Sequence, residues 1–188
     1  TMEDAQIIAL YWSRDGEAIR QTDEKYGAYC FTIAQRIVQS HEDSEECVND
    51  TWLRAWNAMP PERPDYLKLF LAAITRNLSL DRLKERKTAK RGGGAAALAL
   101  DELSECVSGS PEVEDAVIAK ELSESVGRFL DTLPLETRKL FLRRYFFLES
   151  AEEIAQMYAM RPGTVTVALH RTRKKLREHL KREGFFDE

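Results

Sequence analysis

Cysteine is scarce, with three in 188 residues. Cys30, Cys47 and Cys106 are odd in number, far apart and without paired Cys/His spacing. Disulfide and zinc frameworks are therefore poor readings, and a reducing cytoplasm is expected. Cys30 and Cys47 read most simply as small buried apolar residues. Long apolar runs are also missing: none approaches the roughly 20 residues of a membrane helix. The first residues carry no signal-peptide pattern. Catalytic signatures are missing too. There is no Gly-rich phosphate loop, no HExxH and no Ser/His/Asp set to nominate. His41, His170 and His179 are isolated and read as surface residues. No enzyme activity, metal, cofactor or small-molecule substrate is expected. An excess of positive charge is likewise lacking. The net charge of −4 argues against a uniformly basic coat for nucleic acid.

The charge is segregated instead. It is acidic at 42–50 and 101–115, and basic at 82–91 and 171–182. With 32% charged and 43% apolar residues, the chain reads as soluble and globular, in one domain or two small ones. The most informative stretch is Ser150 to Leu176. Ser150 is a good N-cap, and Glu153 completes a capping box. Ile154, Met157 and Tyr158 recur at helical spacing, and Ala159 to Arg161 make a turn. Pro162 sits where a second helix tolerates its missing N–H. Val165, Leu169, Thr172 and Leu176 form one stripe of that helix, with Thr166, Val167, His170, Arg171 and Lys174 opposite. The pattern is a helix-turn-helix. Two short helices around a turn also occur in many all-α proteins. The crowd of Arg171, Arg173, Lys174, Lys175, Arg177, Lys181 and Arg182, opposed only by Glu178 until Glu183, tips the balance toward phosphate neutralisation.

The rest of the chain reads as helices. Residues 3–13 make a short one, broken at Asp15 and Gly16. A longer one runs to about Gln39 with Tyr26, Cys30, Ile33 and Ile37 on one face. The next has Asp43 as candidate N-cap. It buries Val48, Thr51, Trp52, Ala55 and Met59, and shows Glu46, Asp50, Leu53 and Asn57 to the outside. An exposed leucine among acids fits a protein-partner face and a merely solvated one equally. The loop at 60–64 is stiffened by prolines. Asp65 is the next cap candidate, before a stripe of Leu67, Phe70, Leu71, Ile74 and Leu78. Arg76 points away from that stripe, and Asn77 and Asp81 are expected to be hydrogen-bonded at a helix junction. Arg82, Lys84, Arg86, Lys87, Lys90 and Arg91 then form either a fraying polar end or a second nucleic-acid surface. Gly92 to Gly94 end the helix, and 92–111 reads as a linker with a weak helix around 98–103. In the second domain Val113, Val117, Leu122, Val126, Phe129 and Leu133 trace one face. Leu140, Phe141, Tyr145 and Leu148 pack inward while Arg138, Arg143 and Arg144 face out. Phe185 and Phe186 follow the second helix of the helix-turn-helix with no assigned role.

Four stretches together resemble the extracytoplasmic-function (ECF) group of the bacterial sigma-70 family: DSEECVNDTWLRAW at 43–56, FLAAITRNLSLDRLK at 70–84, LPLETRKLFLRRYF at 133–146 and EEIAQMYAMRPGTVTVALHRTRKKL at 152–176. The first two look like the family's region 2 and the last two its region 4, over most of residues 20–180. The resemblance implies an all-α chain of two small helical domains: 1–91, a region 2-like bundle, and 112–188, a region 4-like helix-turn-helix domain, joined by a flexible linker at 92–111. It implies a factor that makes core RNA polymerase promoter-specific and assists promoter melting. Glu46, Asn49, Asp50 and Leu53 would meet the coiled coil of the largest polymerase subunit. The loop at 59–65 and the next helix would capture an unstacked base of the −10 element. Trp56, Tyr66, Arg76 and Asn77 are the pocket candidates, and Arg82, Lys84 and Arg86 would hold phosphates. Holding a base out of the stack costs a few kcal/mol, which such a pocket could offset. Arg143, Thr164, Thr166, Val167, His170, Arg171 and Lys174 would read the −35 element. Thr and Val suit a thymine methyl, and Arg171 suits a guanine. The polymerase flap is a further implied contact. The linker would thread polymerase channels, which suits Asp101, Glu102 and Glu105. Control by an anti-sigma factor is a family habit that no residue here shows. Ala159 stands where the family commonly has Gly, and Phe70 where it has Trp. The expected location is the cytoplasm, on the nucleoid when active. Two rivals are a stand-alone helix-turn-helix repressor or activator, which would want a dimerisation helix, and a helical adaptor, which would not want the basic helix ends.

Overall fold

The computed structural model describes residues 1–86, 95–107 and 116–185. Among these every regular element is an α-helix, and contacts divide the chain into two units, Thr1–Gly94 and Ala95–Glu188. The domain limits expected at 91/92 and 111/112, together with Lys87, Lys90, Arg91, Val113 and Phe186, lie outside the described residues.

The first unit holds α1 (Asp4–Trp12), α2 (Glu17–Val38), α3 (His41–Ala58) and α4 (Leu67–Arg86). Its core includes Tyr11, Cys30, Trp52, Met59, Leu67 and Leu71. Each such side chain contributes about 1.5–3 kcal/mol on leaving water. Asp4 ties α1 to α2 by accepting from Lys25 and from the Tyr26 hydroxyl, each at 2.7 Å. Gln39 turns left-handed (φ 53°) to end α2. The N-cap of α3 is then Ser40, whose Oγ accepts from the Asp43 amide. Asp43, the expected cap, sits inside the first turn and takes guanidinium groups from α4 instead. Both residues are good caps; the left-handed Gln39 decides where α3 begins.

The buried face of α3 is the expected one. That of α4 is rotated. Leu67 and Leu71 are buried, but Phe70, Ile74 and Leu78 are only half-buried, and Ala72, Thr75 and Ser79 complete the face. Thr51 Oγ1 and Thr75 Oγ1 lie 3.0 Å apart across the α3–α4 seam. Each hydroxyl also bonds its own helix, to the Cys47 and Leu71 carbonyls. Small satisfied hydroxyls let the two helices approach without leaving a buried polar group unpaired. Asn77 and Asp81, expected at a hydrogen-bonded junction, are exposed.

The second unit holds α5 (Ala95–Val107), α6 (Ala116–Thr132), α7 (Leu135–Tyr145), α8 (Ala151–Met157) and α9 (Pro162–Arg182). α9 runs through its centre, with Val165, Leu169, Leu176 and Leu180 buried. The segment 92–111, expected as linker, contains α5, which packs on α7 and α9. Ala96, Ala99 and Cys106 give α5 its buried side. Glu102 then reaches three groups: Arg144 (3.0 Å), the Tyr145 hydroxyl (2.9 Å) and Arg173 (3.3 Å). Arg144, expected to face out, is 5% exposed and also donates to the Glu149 carbonyl at 3.0 Å. A buried guanidinium needs such company, because an unpaired charge inside is far too costly. Burial pushes the Glu102 carboxyl up, but the hydrogen bonds from Arg144 and Tyr145 and the nearby cations outweigh it, leaving its pKa lowered.

The far end of α9 is tied to α6. Glu183 accepts from Arg128 and Ser125, each at 2.6 Å, and the Arg128 bond leads in holding its carboxyl at about 2. His179 bonds Ser125 at 3.1 Å and leans on Phe129, so it is a packed residue and not the isolated surface one expected. Val117 is exposed, so the apolar face of α6 starts later than its spacing implied.

Candidate nucleic-acid interface

The helix-turn-helix is built by local chemistry. Ser150 Oγ accepts from the Glu153 amide at 3.1 Å, and Glu153 Oε2 accepts from the Ser150 amide at 3.3 Å. This capping box fixes the start of α8. Its last turn closes through Met160 N–H to the Ala155 carbonyl at 2.8 Å. Ala159 takes a left-handed conformation, φ 52°, which costs an L-residue roughly 1–2 kcal/mol. Pro162 occupies the first turn of α9. Met157, read among the inward positions, is half exposed.

With Val165, Leu169, Thr172 and Leu176 inside, the outer face of α9 presents Thr164, Thr166, Val167, His170, Arg171 and Lys174, all exposed. The Thr166 hydroxyl donates back to the Pro162 carbonyl at 3.0 Å, so its methyl is the group left outward. His170, Arg171 and Lys174 have no ion pair among the described residues. Two other cations of the run turn inward. Arg173 bonds Glu102 and Tyr145, and Arg177 donates to the Cys106 carbonyl at 3.1 Å. Only part of the basic run therefore faces solvent. Arg143 on α7 is half-buried, paired with Glu149 at 3.1 Å and set beside the Phe147 ring. Burial works against its charge, but hydrogen bonding with Tyr158 and the Glu149 carboxylate outweigh it and raise its pKa.

In the first unit Glu46, Asn49, Asp50 and Leu53 share the outer face of α3, with Leu53 58% exposed. Asn49 also edges an open groove of about 620 Å³ between α2 and α3. Arg82 pairs with Asp43 at 3.1 Å and with Glu46. Arg86 pairs with Asp43 and donates to the Val38 carbonyl at 2.8 Å, capping α2. Lys84 is exposed without an ion pair among the described residues.

The four pocket candidates differ in exposure. Trp56 is half-buried with the Arg14 guanidinium 3.9 Å from its ring centroid. Arg76 is half-buried, and desolvation lowers its pKa. Tyr66 and Asn77 are exposed. A cleft of about 430 Å³ is lined by Arg54, Asn57, Ala58, Glu62, Phe70 and Ile74, none of them among the four pocket candidates. Arg54 and Asn57 on α3 with Phe70 and Ile74 on α4 lie three and four residues apart, a signal that could have marked them.

Comparison with known proteins follows the same division. Residues 24–89 match the family model of sigma-70 region 2, and residues 123–176 that of sigma-70 region 4. The ECF RNA polymerase sigma factor SigW of Bacillus subtilis (strain 168) is 25% identical over 172 residues, spanning 89% of this chain and 91% of the relative. The ECF RNA polymerase sigma factor SigE of Mycolicibacterium smegmatis is 27% identical over 165 residues, spanning 87% of this chain and 60% of the relative. Among solved structures, CnrH, determined in complex with the cytosolic domain of CnrY, aligns over 96% of this chain and 99% of its own with 21% identity and a TM-score of 0.40. With both region models matched in order across an all-helical chain of two units, this protein belongs to the ECF group of the bacterial sigma-70 family of RNA polymerase sigma factors.

Proposed function

We propose that this chain binds core RNA polymerase, directs it to promoters through −35 and −10 elements, and assists melting, doing no chemistry itself. The observation that carries the reading is the outer face of α9, where exposed Thr166, Val167, His170, Arg171 and Lys174 flank one another opposite the buried stripe of Val165, Leu169, Thr172 and Leu176. That helix lies in the −35 major groove, with Thr164 at its start. Arg171 reads a base, while Lys174 neutralises phosphate. Arg143, half-buried on α7, adds a further cation to the −35 contact. Glu46, Asn49, Asp50 and Leu53 form the contact for the polymerase coiled coil, an apolar centre ringed by acids. The loop at 59–65 with Trp56, Tyr66, Arg76 and Asn77 takes the −10 base, and Lys84, Arg82 and Arg86 lie along its phosphates. Two weak DNA contacts and one protein contact gain effective concentration on one polymerase. The protein works in the cytoplasm on the nucleoid, and an anti-sigma factor holds it inactive between signals.

Run-off transcription tests the reading. Purified bacterial core polymerase on genomic fragments gives new discrete transcripts only with this protein, and their upstream sequences align into two elements. Tight binding to a palindrome by the protein alone, without transcripts, would replace the reading with a stand-alone repressor. The double variant Asp50→Arg with Leu53→Asp abolishes core binding and leaves both units folded. Wild-type core affinity in that variant would remove the polymerase face.

A further inference from the structure

The loop after α3 is poorly equipped to hold itself. Pro60, Pro61 and Pro64 have no N–H to donate. The backbone bonds described there are Met59 N–H to the Ala55 carbonyl and Glu62 N–H to the Ala58 carbonyl. Its remaining anchors come from the turn between α1 and α2, more than forty residues away. Arg14, itself left-handed at φ 57°, donates from Nη1 to the Trp56 carbonyl at 2.7 Å and the Met59 carbonyl at 3.1 Å. Those carbonyls belong to the last turn of α3, where no helical amide remains to bond them. The same guanidinium lies 3.9 Å from the centroid of the Trp56 ring. Trp12 Nε1 donates to the Glu62 carbonyl at 3.1 Å, and the Arg63 guanidinium lies 5.4 Å from the Trp12 ring centroid. Glu62 in turn lines the cleft that also takes Arg54, Asn57, Phe70 and Ile74.

We infer that Arg14 and Trp12 are positioning residues for −10 recognition: a brace from the α1–α2 turn that sets the 59–63 loop at the edge of this cleft. The inference rests on the proposed role of that loop. The brace acts through the loop and needs no contact with DNA. Its chemistry is specific to the two side chains. A planar guanidinium donates to carbonyls and lies on an indole at once; an ammonium keeps the charge and loses the planar face. Arg14→Lys therefore separates a brace from a phosphate contact. Phenylalanine at position 12 keeps a ring and removes the one N–H.

The test uses the full chain assembled with core polymerase, and single-stranded DNA carrying the non-template −10 sequence of a promoter found by run-off transcription. Arg14→Lys weakens binding of that strand by roughly tenfold, the scale of one lost hydrogen bond from a charged group, and Trp12→Phe by about threefold, because its bond is neutral and exposed. Affinity for core polymerase and for a −35 duplex stays at the wild-type value, and the salt dependence of strand binding is unchanged in Arg14→Lys. Wild-type strand affinity in both variants would overturn the brace and leave the function standing. So would a parallel loss of core affinity, which would mark the contacts as purely structural. If wild-type holoenzyme fails to prefer the −10 strand over a scrambled one, the proposed role of the loop falls, and the brace with it.

Discussion

The end of α4 and the outer face of α9 are both rich in cations, and the fold uses them oppositely. On α4, Arg82 and Arg86 are engaged by Asp43 and Glu46 of α3, and Arg86 also caps α2. On α9, Arg171 and Lys174 stand exposed with no ion pair among the described residues, while Arg173 and Arg177 turn in toward α5. A run of lysines and arginines thus contains at least three kinds of residue: those that stitch helices, those that balance a neighbouring acid, and those left for a partner. Spacing separates the inward from the outward ones along a single helix. It does not reveal which outward ones meet an acid on another helix.

The comparison breaks most visibly at Glu102. Glu102→Ala leaves the buried Arg144 without its carboxylate and destabilises the second unit by about 3 kcal/mol, the scale of removing one partner of a buried pair. Urea unfolding of the full chain, followed by a probe in α9, reads this loss. The first unit's transition stays where it was. The same bond gives an acid dependence. The Glu102 pKa is lowered on folding, so its stabilisation is complete above the ordinary glutamate range. It is lost as pH falls through the lowered value, and the acid transition of Glu102→Gln is correspondingly flatter.

Arg171→Ala and Arg173→Ala sharpen the contrast within one helix. The first costs roughly 1–3 kcal/mol in −35 duplex binding and leaves stability alone. The second lowers the melting temperature, and its DNA affinity falls only as far as unfolding takes it. Ala159→Gly acts on the turn that aims α9. Relief of a left-handed alanine, set against the greater freedom of glycine in the unfolded chain, raises stability by about 0.5–1 kcal/mol in thermal melts. The smallest effect lies in salt dependence. Lys174→Ala lowers the slope of log affinity against log salt by about 1. Arg82→Ala lowers it by less, because Asp43 and Glu46 already neutralise part of its charge.

The helix-turn-helix was legible because its determinants are local. A capping box, a proline in the first turn and an i, i+3, i+4, i+7 stripe lie within 27 consecutive residues, 150 to 176. The outer face of α3 was legible for the same reason. The start of α3 was misread because Ser40 and Asp43 are both good caps, and only the backbone turn at Gln39 chooses between them. Arg144 was read as outward because nothing near it in sequence announces Glu102, forty-two positions earlier. The brace on the loop after α3 was hidden likewise. Trp12 ends α1 and Arg14 lies in the turn after it, where the sequence signals only a helix break. Asn57 was legible only as an outward residue of α3, because its place beside Phe70, Ile74 and Glu62 depends on how α3 and α4 pack.

The docking of α5 also bears on the order in which the second unit assembles. The turn from α8 into α9 joins residues close in sequence and closes quickly. The Glu102 contacts instead span 42 to 71 positions and must first overcome the entropy of closing that loop. On loop-closure grounds we expect α5 to dock after the helix-turn-helix has formed. Bonds made that late would form on the native side of the folding barrier, so weakening them would hasten unfolding more than it slows folding. The lifetime of the folded second unit would then depend in part on a helix that docks after the helix-turn-helix.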